Sequence, residues 1–173
     1  HTEQFPKEFR MNFKPDPSVI FDENTYKGIA YKDYSWAACV SEIYFHADTY
    51  KIEVKKCWNV LDIGKVVNQK IAEGQVEGGV VQGLAYGTSE FFYKKGYGRM
   101  HGFTDYTLPT TLDIPEIDVE FIHNDDPLAK GLGEIPMDYP APSIRNAFFH
   151  ATGILINEYP LIPERIINHM MRI

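Results

Sequence analysis

Gly74-Gln75-Val76-Glu77-Gly78-Gly79-Val80-Val81-Gln82-Gly83-Leu84-Ala85-Tyr86-Gly87 is the stretch on which the fold turns. Val76, Val80 and Leu84 recur at helical spacing, with Phe91 on the same stripe, and predict a helix over 71–93. Glycine is out of place in such an element, since each costs about 1 kcal/mol relative to alanine in a helix interior. Gly79, Gly83 and Gly87 nevertheless recur every fourth residue and so share one ridge. A bare ridge lets a packed element, or a cofactor, come close to the helix backbone. Packing is the plainer reading, and the sequence leaves both open. Gln75 and Gln82, one heptad apart near the ridge, can turn their amides to a polar ligand or simply to solvent.

Upstream of this helix, β-branched and aromatic residues dominate from Tyr34 to Asp48 and from Tyr50 to Asp62. The turn His46-Ala47-Asp48-Thr49 between them predicts an antiparallel hairpin. Asp62-Ile63-Gly64-Lys65 through Asn68 reads as a polar loop leading into the helix. Downstream, short strands are expected at 97–100 and 104–108. A clearer strand follows at 116–123, where Ile117, Val119 and Phe121 alternate, and then a turn at 124–127. Ala141-Pro142 opens a second helix through about Thr152 with Gly153 as its stop, and Pro163 opens a short last helix to Met170. The fold class is therefore α+β: an antiparallel or mixed sheet with two main helices and a short C-terminal helix. Residues 1–28, with Pro6, Pro15 and Pro17 and no sustained periodicity, read as an extended arm ahead of a lobe over 29–173.

At 173 residues the chain suits one domain, or one lobe of a larger one. An apolar content of 44%, with 14% aromatic, places it among globular proteins and not disordered ones. A net charge of −7 argues against nucleic acid or an anionic membrane surface as partner. No apolar run approaches the roughly 20 residues that span a bilayer, and no signal peptide is visible, so a cytoplasmic location is expected. The first residue is His1, which suggests a processed subunit or a piece of a longer polypeptide. Cys39 and Cys57 are too few for a disulfide framework or an iron–sulfur site. They can meet if their strands pair, but reduced core thiols fit a cytoplasmic protein better. The six histidines show no metal-ligand spacing, and neither a nucleophile elbow nor a phosphate-binding loop is present.

Lys130-Gly131-Leu132-Gly133-Glu134-Ile135-Pro136-Met137 sets one acid between a strand-like run and a helix with a small-residue start. Gly131 and Gly133 give that turn dihedral freedom and leave no bulk beside the carboxylate, which can then lie close to a ligand. An ordinary turn that contains a glutamate is the competing reading.

Taken in order, several segments resemble one family. They are Tyr34-Ser35-Trp36-Ala37-Ala38, Asp62-Ile63-Gly64-Lys65 with Asn68, and Glu73-Gly74-Gln75-Val76-Glu77-Gly78-Gly79 with Val81-Gln82-Gly83-Leu84. Lys130-Gly131-Leu132-Gly133-Glu134-Ile135-Pro136, Ala141-Pro142-Ser143-Ile144 and Pro160-Leu161-Ile162-Pro163-Glu164 complete the set. Together they are similar to the molybdenum-cofactor domain of the xanthine dehydrogenase/aldehyde oxidase family, over roughly residues 20–170. The resemblance implies one lobe of the molybdenum-cofactor-binding region, in the C-terminal part of a molybdopterin-binding subunit. It implies a hydroxylase that uses water to oxidise an N-heterocycle or aldehyde, with Glu134 as general base. Gln75 matches a pterin-contacting glutamine, and Gly74, Lys130 and Gly133 fall near the cofactor. The cofactor implied is molybdenum–molybdopterin, shared with an upstream segment, with 2Fe–2S and FAD on other domains or subunits. The implied partners are the rest of the molybdopterin subunit, the iron–sulfur and FAD components, and a small-molecule substrate. Ile135 replaces the proline usual after the acid, and the family's other molybdopterin segments have no counterpart here. On this reading the chain is inactive alone. A non-catalytic assembly module of the same descent is the alternative, and a small-ligand or carbohydrate-binding β-rich domain would account for the aromatic residues but not for the ordered motifs.

Overall fold

The computed structural model describes residues 8–12, 14, 16–91, 103, 106–123 and 128–171, in two compact units, 1–34 and 35–173. In the first unit, the segment expected as an arm carries two short antiparallel strands, β1 (Ile20–Asp22) and β2 (Lys27–Ile29). Their turn is closed by the Asp22 carboxylate, which accepts from the Asn24 N–H at 2.9 Å and from Thr25 Oγ1 at 2.8 Å.

The second unit contains a three-stranded mixed sheet of order β3-β4-β5. β3 (Trp36–Phe45) and β4 (Ile52–Asp62) form the expected antiparallel hairpin, and β5 (Glu116–Phe121) joins β4 in parallel. Along β4 the alternation changes phase: Ile52 faces the core, and so do Cys57, Asn59 and Leu61. The register explains the change. Glu42 stands opposite Lys56 but Ile43 opposite Val54, so Lys55 is an extra residue, a bulge that restores the apolar face to the core. The other face of the hairpin stays in solvent, with Trp36 70%, Val40 63% and Tyr44 55% exposed.

Among the described residues, capping and proline signals set four helices: α1 (Gln69–Thr88), α2 (Ile135–Asp138), α3 (Pro140–Thr152) and α4 (Pro163–Met170). α1 begins two residues before the expected 71, because Asn68 caps it, its side-chain oxygen accepting from Ile71 N at 3.1 Å. It stops at Thr88, short of 93. The Thr88 hydroxyl bonds Leu84 O at 2.9 Å, while the N–H groups of Ser89 and Glu90 converge on Ala85 O. Phe91 therefore lies beyond the helix, with the Arg165 guanidinium 5.4 Å from its ring. α3 ends where Gly153 adopts φ 73°, as the sequence predicted. The strands expected at 97–100 and 104–105 and the turn at 124–127 lie outside the described residues, and Tyr106–Leu108 are not in a strand.

Within the second unit, α3 packs on β3 and α1 packs on α2, α3 and β5, enclosing Leu61, Val76, Val80, Phe121, Ile144, Phe148, Ile156, Leu161 and Ile166. Phe45 meets Phe148 edge to face at 5.2 Å. Cys39 and Cys57 are both free thiols on the core face, linked through Ser41 Oγ at 3.9 and 3.6 Å. The Cys57 thiol hydrogen-bonds Cys39 and lowers it to about 7, and that pairing together with burial pushes Cys57 up.

The glycine ridge packs against protein. A Cβ at Gly79 would stand 2.6 Å from Pro136 Cβ, and one at Gly87 3.1 Å from Ala141 Cα. At Gly83 it would overlap Met137 O and come within 2.9 Å of the Pro140 ring. The neighbouring Gly78 faces open space. Gly83→Ala should therefore destabilise the fold by about 1–3 kcal/mol, overpacking outweighing helix propensity. Gly78→Ala should stabilise it by about 0.5–1 kcal/mol. Urea unfolding of the two variants checks the contrast, and equal effects would remove the packing role of the ridge.

Candidate functional site: the Glu134 turn

The turn forms where three neighbouring segments hold it. Its entry, residues 128–130, pairs with the loop after β4: Gly64 bridges Ala129, Lys65 N donates to Leu128 O, and Lys130 N donates to Ile63 O, both at 2.9 Å. The same pairing carries Lys130 Nζ to within 2.8 Å of Asp62 Oδ2, while Asp62 Oδ1 accepts from Gly64 N at 3.0 Å. The side chains of this pair are only 12% and 19% exposed. Asp62-Ile63-Gly64-Lys65, read from sequence as a polar loop, is thus the socket into which the turn plugs.

Past the socket the backbone takes a conformation open chiefly to glycine, with φ 150° at Gly131. Ser35 Oγ donates to Gly131 O at 2.6 Å, and Gln75 Nε2 donates to Gly133 O at 2.8 Å. Leu132 packs against the core between these two anchors. Glu134 then stands at the N-cap of α2, exposed, with no capping bond from its side chain. Among the described residues its carboxylate has no hydrogen bond or ion pair. Pro136 and Met137, immediately beyond, are the residues seated on Gly79 and Gly83.

The structure brings Glu134, Gly133 and Gln75 together, with Gly74 the neighbour of Gln75 on α1. Lys130 lies at the root of the turn with its ammonium on Asp62. Gln82 goes elsewhere, lining a hollow of about 550 Å³ with Tyr86, Met137, Arg145 and Tyr159. No trio of His, Cys, Asp or Glu capable of holding a metal exists among the described residues. The turn instead fits a wall against a large polar group. A Cβ at Gly74, Gly131 or Gly133 would meet no atom within 4 Å, and Gln75 keeps its carbonyl oxygen as an acceptor.

A family model described as a molybdopterin cofactor-binding domain matches residues 6–115. The chain belongs to the molybdopterin cofactor-binding domain family. The domain is 37% identical over 123 residues to the putative xanthine dehydrogenase molybdenum-binding subunit of Escherichia coli K12, covering 67% of this chain and 16% of that one. It is 33% identical over 139 residues to the isoquinoline 1-oxidoreductase subunit beta of Brevundimonas diminuta, covering 79% of this chain and 18% of that one. Its structure superposes on aldehyde oxidoreductase from Desulfovibrio gigas with a TM-score of 0.72 at 26% identity, over 79% of this chain and 15% of that one. The domain thus spans less than a fifth of the length of any of these three relatives. The family resemblance read from the ordered motifs, the α+β class and the molybdopterin cofactor class are all borne out. No helix among the described residues is long and apolar enough to cross a membrane.

Sequence reasoning did not single out Ser35 or Asp62 as supports of the turn. Each acts across 68 residues or more of chain, a distance at which spacing carries no signal. Lys130→Met should lower unfolding stability by about 3 kcal/mol, because it removes the ammonium that neutralises the largely buried Asp62 carboxylate. Adding Asp62→Asn should recover part of that loss. Chemical denaturation measures both, and simple additivity of the two losses would dissolve the pairing.

Proposed function

We propose that the chain is the C-terminal part of the molybdenum-binding subunit of a hydroxylase of the xanthine dehydrogenase/aldehyde oxidoreductase type, with Glu134 as its general base. The observation that carries this reading is the exposed carboxylate of Glu134, without a partner among the described residues, on a turn anchored on three sides, with open space at Gly74, Gly131 and Gly133. A protein spends anchors on a surface acid when the position of that acid matters. The relatives' names point to N-heterocycles and aldehydes as the substrate class.

When bound, the molybdenum–molybdopterin group supplies the two-electron redox chemistry. The contribution of this chain is a proton acceptor and a shaped wall. Glu134 takes a proton at a carboxylate oxygen as water-derived oxygen adds to the substrate carbon. Gly74, Gly133 and the carbonyl oxygen of Gln75 would face the pterin. Lys130 holds the base of the turn through Asp62. The remaining wall belongs to the rest of the subunit, and the iron–sulfur and flavin centres to other domains or subunits.

In the complete enzyme, Glu134→Gln keeps the shape and removes the base. Molybdenum content should stay near wild type while kcat falls about 10²- to 10⁴-fold, and near-normal turnover would remove Glu134 from the mechanism. The purified 173-residue chain should bind far less than one molybdenum per chain and show no turnover. Metal analysis decides the point, since stoichiometric molybdenum would refute the one-wall assignment.

A further inference from the structure

Gly131 O and Gly133 O, two residues apart in the turn, each accept a side-chain donor from a different element. Ser35, just ahead of β3, supplies one, and Gln75, in the second turn of α1, supplies the other. Among the described residues no backbone N–H is recorded on either carbonyl, so both are held by side chains.

Peptide planarity carries this hold to Glu134. The carbonyl of Gly133, the nitrogen of Glu134 and the Cα of Glu134 lie in one rigid plane. Fixing that carbonyl against Gln75 fixes the atom from which the Glu134 side chain departs. The bond from Ser35 fixes the preceding turn of the chain in the same way, before flexibility at Gly133 can accumulate. On the far side Pro136 is pressed onto Gly79, one helical turn along α1 from Gln75. The backbone of Glu134 is thereby held from both flanks, while its carboxylate has no partner among the described residues.

We propose that Ser35 and Gln75 are positioning residues for Glu134, acting through the carbonyls of Gly131 and Gly133. The proposal rests on the reading of Glu134 as general base. Gln75 then has two roles divided by atom: its amide nitrogen is committed to the turn, and only its carbonyl oxygen remains for a ligand. Proton transfer requires heavy atoms at about 2.6–3.2 Å, so a turn free to wander by an ångström costs rate without costing affinity.

The test uses the complete enzyme with Ser35→Ala, Ser35→Thr and Gln75→Glu, the last keeping the oxygen and removing the donor. Hydrogen exchange at the amides of Lys130 and Met137, which donate to Ile63 O and Glu134 O at the two ends of the turn, should speed roughly five- to tenfold in Ser35→Ala and Gln75→Glu, and return toward wild type in Ser35→Thr. Molybdenum content and KM should stay near wild type while kcat falls about tenfold or more. Introduced into Glu134→Gln, the same substitutions should lower kcat no further, since their effect passes through that carboxylate. If Glu134→Gln alone retained turnover, the base reading would fail. If Glu134→Gln lost turnover but Ser35→Ala and Gln75→Glu left exchange unchanged, or reduced kcat equally in both backgrounds, the positioning role would fail and the base reading would stand.

Discussion

The structure depends on how closely α1 approaches the segment 133–141. Gln75, Gly79, Gly83 and Gly87 fall on every fourth residue of one helix stripe and meet Gly133, Pro136, Met137 with Pro140, and Ala141 in the same order. Three of the four positions lack a side chain, so the partner's backbone and proline rings rest on helix backbone. At the last turn of the helix, Leu161 N reaches Gly87 O at 2.8 Å and supplies a helix-terminal carbonyl with its donor. The propensity cost of the glycines is thus offset by contact that any larger residue would prevent.

The same approach holds a glycine-rich turn in one conformation. Gly131 and Gly133 would by themselves leave Glu134 on loose chain. The socket at Asp62–Lys65 fixes the entry, the stripe fixes the exit, and two side-chain donors fix the middle. The acid is left exposed, with open space beside Gly131 and Gly133.

Much of this was legible in the sequence, and the failures have physical causes. The i, i+4 glycines announced a close approach, but the approaching segment lies about fifty residues downstream, and local periodicity says nothing about partners at that range. Phe91 stays in phase with the apolar stripe, yet hydroxyl groups at Thr88 and Ser89 turn back onto the helix carbonyls and end it sooner. α2 is four residues long and leaves no period to read. Alternation in 116–121 identified a strand without saying that it pairs in parallel with β4. The phase change between Val54 and Cys57 was visible in principle, but Trp58 and Val60 are apolar as well and masked the bulge. At the site, Glu134 and Gln75 stood out through resemblance, whereas Ser35 became visible only as a donor 96 residues from its acceptor.

The solvent face of β3 has a colloidal consequence. Trp36, Val40 and Tyr44 share the solvent face of a strand that is the sheet's edge among the described residues, with Ala38 and Glu42 between them and Trp58 across from Val40. A long edge with an aromatic flank offers both an open hydrogen-bonding ladder and an apolar surface to any second strand. Little on this face of β3 opposes such contact: Glu42 is its one charge. Prepared on its own, the domain would be limited by self-association in concentrated solution before it was limited by the stability of its core.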